Sequence, residues 1–201
     1  MQLKAAQNPL PHGRGSDQGA NFTSARRHGW ASPRAEPEGG AHVGLWYLDP
    51  YARQGKRSGA WANSYRDHEA FDGARTVLSS NNSNFIGGAP GEPVLVSWDD
   101  ATTFFHEFGH ALHALSSNVA YPTLNGGVRD YTEFQSQLLE RWLSTAPVIE
   151  RFLRHYRTGA PMPQELVAKI KRAETFNQGF ATTEYLASAL VDLAYHTADP
   201  A

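Results

Sequence analysis

Over residues 1–40 apolar positions follow no period, and Pro11, Gly13, Gly15, Gly19, Pro33, Pro37, Gly39 and Gly40 punctuate a polar stretch. Such a stretch has too little apolar surface to offset the entropy of ordering it. It is expected to be disordered, either a flexible tail or sequence foreign to the domain that follows. From about His42 the texture changes. Val43, Leu45 and Tyr47 alternate with Gly44, Trp46 and Leu48 before Asp49-Pro50, the pattern of a strand with both faces partly covered. A second strand is expected over 93–98 and a third over 75–80, with the Asn- and Gly-rich clusters at 81–84 and 87–91 read as turns. Together they predict a small antiparallel sheet.

After Trp98 the period becomes helical. Asp99 or Asp100 is placed to cap a helix that runs through Leu115. A second helix is expected over 130–144, ending before Pro147, and a third from Pro147 to the terminating Gly159. A fourth begins at Pro163, and a fifth follows the break at Asn177, Gln178 and Gly179. No internal repeat is visible. The fold class is therefore mainly α with a small antiparallel β-sheet, an α+β arrangement. Its domains are the tail, 1–40, and one partial domain, 41–201, within the 201 residues.

Composition narrows the chemistry. Eighteen basic and 20 acidic residues leave a formal charge of -2, so no global field would recruit nucleic acid or an anionic membrane. Neither is expected as a partner. No apolar run reaches the 18 or more residues of a membrane span, and the N-terminus lacks the apolar stretch of a secretory signal; a cytoplasmic protein is the expectation. The chain has no cysteine, so any transition-metal site must be built from His and carboxylates.

The segment TFFHEFGHALHAL, residues 103–115, holds HExxH. Residues four apart lie one turn above each other, so His106 and His110 can aim ring nitrogens at one ion while Glu107 flanks it. At this chain's own His and Glu frequencies the motif would arise by chance in about one chain in fifty. It therefore needs context, which the helical wheel supplies. Phe104, Phe108, Ala111, Leu112 and Leu115 fall on one side, and His106, His110 and His113 on the other. His113 is read as packing beside the site rather than as a ligand.

A catalytic zinc needs a third protein ligand and an open position. A third His in HExxHxxGxxH is excluded, because His113 and Ser116 stand where Gly and His would be required. A Glu from a separate helix remains. In DYTEFQSQLLERWLS, residues 130–144, Glu133, Gln137 and Glu140 share one face opposite Phe134, Leu138, Leu139 and Trp142. Spacing alone leaves the order of the two acids open. Glu133 sits at the helix start, where it can approach an ion; Glu140 suits the orientation of a ligand histidine through its other ring nitrogen.

HEFGHALH at 106–113, followed by RDYTEFQSQLLERW at 129–142, resembles the thimet oligopeptidase family, and most of all its bacterial peptidyl-dipeptidase (dipeptidyl carboxypeptidase) and oligopeptidase A branch. LWYLDPYARQGKRSGAW, SNNSNF, SWDDATTFFHEF and FNQGFATTEYLASALVD extend the likeness over about residues 40–197. The resemblance implies a zincin-type catalytic core, with one Zn2+ per chain held by His106, His110 and the third ligand Glu133. It makes Glu107 the base, and the activity zinc-dependent hydrolysis of peptide bonds in short, unstructured peptides. Gln135 stands where the family more often has proline, and the loop 124–128 is slightly shorter than usual. Family members are much longer. They have a helical N-terminal half and a Gly- and Tyr-rich C-terminal segment that holds substrate and stabilises the oxyanion. The chain is therefore expected to be a fragment, either such a peptidase or a weak or inactive remnant that persists as a folded module.

Overall fold

The computed structural model describes residues 43–73, 75–89 and 92–199; the expected tail, 1–40, lies outside them. Two compact units divide the chain, the first ending at Ala160 and the second beginning at Pro161. Three strands open the first unit: β1 (Gly44–Tyr51), β2 (Trp61–Arg66) and β3 (Val77–Phe85). Their order is β1-β3-β2. β1 pairs with β3 in parallel and β2 pairs with β3 antiparallel, so the sheet is mixed and corrects the antiparallel expectation. The chain runs out along β1, returns along β2 at the edge, and inserts β3 between them.

Three further expectations change here. β1 runs through Asp49-Pro50, and the proline is absorbed where the register with β3 shifts between Asp49 and Tyr51. Asn81, Asn82, Ser83 and Asn84, expected as a turn, are the middle of the central strand, while 93–97 form no strand and Trp98 already begins a helix. β3 tolerates much of its polarity because neighbouring groups satisfy it, although Asn81 Nδ2 and Ser83 Oγ are buried without a partner among the described residues. The Trp46 indole donates to Asn81 Oδ1, Asn82 Nδ2 donates to the Trp61 carbonyl at 3.2 Å, and Ser79 Oγ to the Asn63 carbonyl at 3.1 Å.

Lys56 locks the end of this sheet. Its buried ammonium donates to the carbonyls of Asp49 at 2.8 Å and Tyr51 at 2.9 Å, and to that of Ser83, with Asp49 Oδ1 at 3.2 Å. Burial pushes the Lys56 amino group below its ordinary pKa, against the opposing pull of Asp49. The paired carboxylate and three carbonyls are the compensation a buried charge requires.

Helix α1 (Trp98–Leu115) is capped by Ser97, two residues before the first expected cap, Asp99. Ser97 Oγ accepts from Asp100 N at 3.0 Å and Asp100 Oδ2 accepts from Ser97 N at 3.1 Å, a closed capping box. Its inner face packs on the sheet through Trp46, Val77, Ala111 and Leu115, with Leu48, Phe104, Phe108 and Ala114 around them. Trp46 meets Phe108 edge-to-face at 5.1 Å. Leu112, expected on this face, is exposed. The sheet and α1 approach closely at Gly44, where a Cβ would lie 2.6 Å from the Val77 carbonyl oxygen and 2.7 Å from Leu115 Cδ2. Gly44→Ala is expected to cost about 1–3 kcal/mol by overpacking. Urea unfolding checks this, and an unchanged midpoint would show that β1 and α1 separate freely.

Two 3-10 turns, Pro122–Leu124 and Arg129–Tyr131, lead to α2 (Phe134–Leu143). The helix expected over 130–144 thus starts four residues later, with Glu133 as its N-cap residue. The apolar stripe read on it is not its packing face: Phe134, Leu138 and Trp142 are more than half exposed, whereas Ser136 and Leu143 are buried. α3 (Ala146–Phe152) is half the expected length, because buried Leu153 leaves the helical conformation at ψ 78. Gly159, at φ 69, closes a separate turn beyond it.

In the second unit, α4 (Gln164–Glu174) follows Pro163, and α5 (Gln178–Thr197) starts from Asn177 in the left-handed conformation, φ 59. Every described residue of α5 is exposed, including Phe180, Tyr185, Leu190 and Tyr195. Among the described residues no helix is long and apolar enough to cross a membrane.

Candidate metal centre

α1 presents His106 and His110 one turn apart, with ring centroids 5.0 Å from each other. α2 packs across α1 at the level between them. The close approach is made by Gly109, where a Cβ would lie 2.6 Å from Ser136 Cα and 2.7 Å from the Gln135 carbonyl oxygen. Two backbones meet there with no side chain between them. This brings the N-cap of α2 to the two imidazoles: Glu133 Oε2 lies 3.1 Å from His106 Nε2 and 3.1 Å from His110 Nε2.

Each of the three residues thus offers one ligand atom, and all three atoms lie within 4.8 Å of one another. Their chemistry fits a cation. His106 Nδ1 is 2.6 Å from Glu140 Oε1, so this nitrogen carries the proton that the carboxylate accepts. In the neutral tautomer with its proton on Nδ1, the Nε2 lone pair faces an oxygen of Glu133. Two acceptors 3.1 Å apart repel unless a proton or metal lies between them. Zinc–ligand bonds of about 2.0–2.2 Å at tetrahedral angles put neighbouring donors roughly 3.3 Å apart, close to these separations.

Glu133 is half exposed, yet its carboxyl is held below the usual carboxylate range. The Ser136 hydroxyl contributes most, burial opposes it, and His110 and His106 add to the lowering. Ser136 Oγ lies 2.8 Å from Glu133 Oε2 and 2.9 Å from the Glu133 carbonyl oxygen. Position 133 also lies at the positive end of α2, where negative charge is favoured.

Both helices face a cleft of about 470 Å3 whose lining includes His106, Glu107, His110, His113 and Glu133. Glu107 is only 8% exposed. The lining also includes Trp61, Ala62, Asn63 and Ser64 of β2, together with Asp67, Asn125 and Gly126. Of the residues singled out from sequence, His106, His110, Glu133 and Glu140 come together, Glu107 and His113 share their cleft, and Gln137 points into solvent. Sequence reasoning missed β2 altogether, and it missed Ser136. The Ser136 signal was available as E-x-x-S, a capping box written backwards, in which a hydroxyl at the third helical position reaches back to the cap residue.

The profile of Peptidase family M3 matches residues 33–201. The dipeptidyl carboxypeptidase of Escherichia coli K12 is 41% identical over 159 residues, covering 78% of this chain and 23% of that enzyme. Oligopeptidase A of the same organism is 32% identical over 158 residues, covering 76% of this chain and 23% of that protein. A thimet-like oligopeptidase of Dictyostelium discoideum is 32% identical over 166 residues, covering 79% and 24% respectively. The chain spans about a quarter of the length of these curated relatives, and by the family profile across most of its residues it belongs to peptidase family M3.

Proposed function

We propose that this chain carries the zinc-dependent catalytic centre of a peptidase acting on short peptides, of the peptidyl-dipeptidase or oligopeptidase type. The observation that carries the reading is the convergence of His106 Nε2, His110 Nε2 and Glu133 Oε2, with Glu107 in the same cleft. When bound, zinc supplies a Lewis acid that lowers the pKa of a coordinated water to about 7 and polarises the scissile carbonyl. The residues do the rest. Glu107 takes the proton of the attacking water on its carboxylate and delivers it to the leaving amide nitrogen. Glu140 holds the Nδ1 proton of His106 and so keeps Nε2 free to ligate.

The substrate class follows from the strand that shares the cleft with the imidazoles. Among the described strands β2 lies at the sheet edge, and four of its residues line the cleft. An extended peptide laid along such an edge gains main-chain hydrogen bonds irrespective of its side chains. A short unfolded peptide fits that requirement better than a folded protein. The cytoplasmic setting expected from the sequence belongs to the same reading.

A second reading is favoured by the exposed apolar residues of α2 and α5. In it the 201-residue chain is a folded module that hydrolyses peptides poorly or not at all. A centre without oxyanion donors turns over slowly, since each typically contributes about 100- to 1000-fold in rate. Metal analysis of the purified chain, combined with hydrolysis of a short fluorogenic peptide, separates the two. One zinc per chain with chelator-sensitive hydrolysis supports the peptidase; zinc without turnover supports the module; no zinc binding removes the metal centre.

A further inference from the structure

Glu133 presents a problem of aim. Its side chain is 53% exposed, it has several rotatable bonds, and it stands at the N-cap of α2 without bonding to that helix's own amides. Nothing in its packing confines the carboxylate to one direction. Ser136 does. This residue is fully buried, and its hydroxyl lies 2.8 Å from Glu133 Oε2, the same oxygen that stands 3.1 Å from both imidazole nitrogens.

Ser136 is itself fixed to the helix that bears the histidines. The missing side chain of Gly109 leaves room for Ser136 Cα, 2.6 Å from where a Cβ would sit. Gly109 immediately precedes His110 and follows His106 by three residues. The hydroxyl is therefore mounted on backbone braced against α1 between the two imidazoles. A hydroxyl with one proton can satisfy only one of its two acceptors fully, and the ionised carboxylate is the stronger.

Resting on the metal-centre reading above, we propose that Ser136 is a positioning residue for the third ligand: its hydroxyl, seated against Gly109, aims Glu133 Oε2 at the cation shared by His106 and His110. Removing it leaves the ligand set complete but lets the carboxylate swing into solvent. Loss of such a supporting partner typically weakens metal binding by about 10- to 100-fold.

The test uses the full 201-residue chain and its Ser136→Ala, Ser136→Thr and Gly109→Ala variants. Zinc affinity is read by chelator competition, coordination geometry by the visible absorption of cobalt-substituted protein, and folding by urea unfolding of the metal-free form. Ser136→Ala is expected to lose about 10- to 100-fold in zinc affinity and to change its cobalt bands, with an unchanged metal-free midpoint. Ser136→Thr, which keeps the hydroxyl, recovers affinity. Gly109→Ala loses affinity although the hydroxyl is present, because its Cβ pushes the mount away. Zinc affinity of Ser136→Ala within twofold of the parent overturns the proposal, as does a loss shared by Ser136→Thr that tracks a lowered metal-free midpoint, the behaviour of packing alone. A parent chain that binds no zinc overturns the centre itself and this inference with it.

Discussion

Glu107→Gln is expected to keep one zinc per chain and to lose about 100- to 10,000-fold in peptide hydrolysis, the range that a positioned general base supplies. The substitution is nearly isosteric at a position only 8% exposed, so the cleft keeps its shape. The amide cannot take the proton of the attacking water. None of the three ligand atoms belongs to residue 107, so the metal content should not move. Single-turnover hydrolysis at high protein concentration, where slow cleavage is counted, together with zinc analysis, makes the measurement. Undiminished hydrolysis in the Gln variant would place the base elsewhere.

His110→Ala should do the opposite and lose the metal. It deletes one of three donors, leaving His106 Nε2 and Glu133 Oε2 3.1 Å apart with no third member of the group among the described residues. The loss in zinc affinity should exceed the roughly 100-fold upper end for removal of a supporting partner, because here the bond itself is gone. The His110 side chain is 20% exposed and faces the cleft rather than the apolar cluster. Metal-free stability should therefore change little. Chelator competition beside urea unfolding of the metal-free protein separates ligand loss from misfolding; parent-like affinity in His110→Ala would remove His110 from the ligand set. Measured together, the two variants distinguish a residue that holds the ion from one that handles the proton.

The legibility of this chain differs sharply between its halves. α1 was readable because an 18-residue amphipathic helix repeats its signal every turn: Phe104, Phe108, Ala111 and Leu115 on the core side, and the histidines opposite. The sheet was not, because β3 is built from Ser and Asn, residues that locally favour turns. Partners distant in sequence take up much of that polarity: Trp46 for Asn81, the Trp61 carbonyl for Asn82 and the Asn63 carbonyl for Ser79. β2 left no apolar alternation, since it lies at an edge with four of its six residues exposed. Parallel pairing of β1 with β3 is likewise a long-range choice.

For α2 the pattern was legible and its use was not. Phe134, Leu138 and Trp142 do form a stripe, but the helix docks through buried Ser136 against Gly109. Close backbone approach between two small residues won over apolar area.

By itself, then, the sequence determined the chemistry available at the centre: two imidazoles locked one turn apart by the geometry of a single helix, a carboxylate between them in the chain, and two further acids on the next helical stretch. Only the tertiary structure decided which acid stands where. Glu133 meets both Nε2 atoms and Glu140 meets Nδ1 of His106, because the crossing of α1 and α2 at Gly109 and Ser136 sets both height and distance. Spacing along one helix is a local property that residue order dictates, whereas convergence between two helices depends on how closely their backbones can approach, and no one-dimensional pattern encodes that.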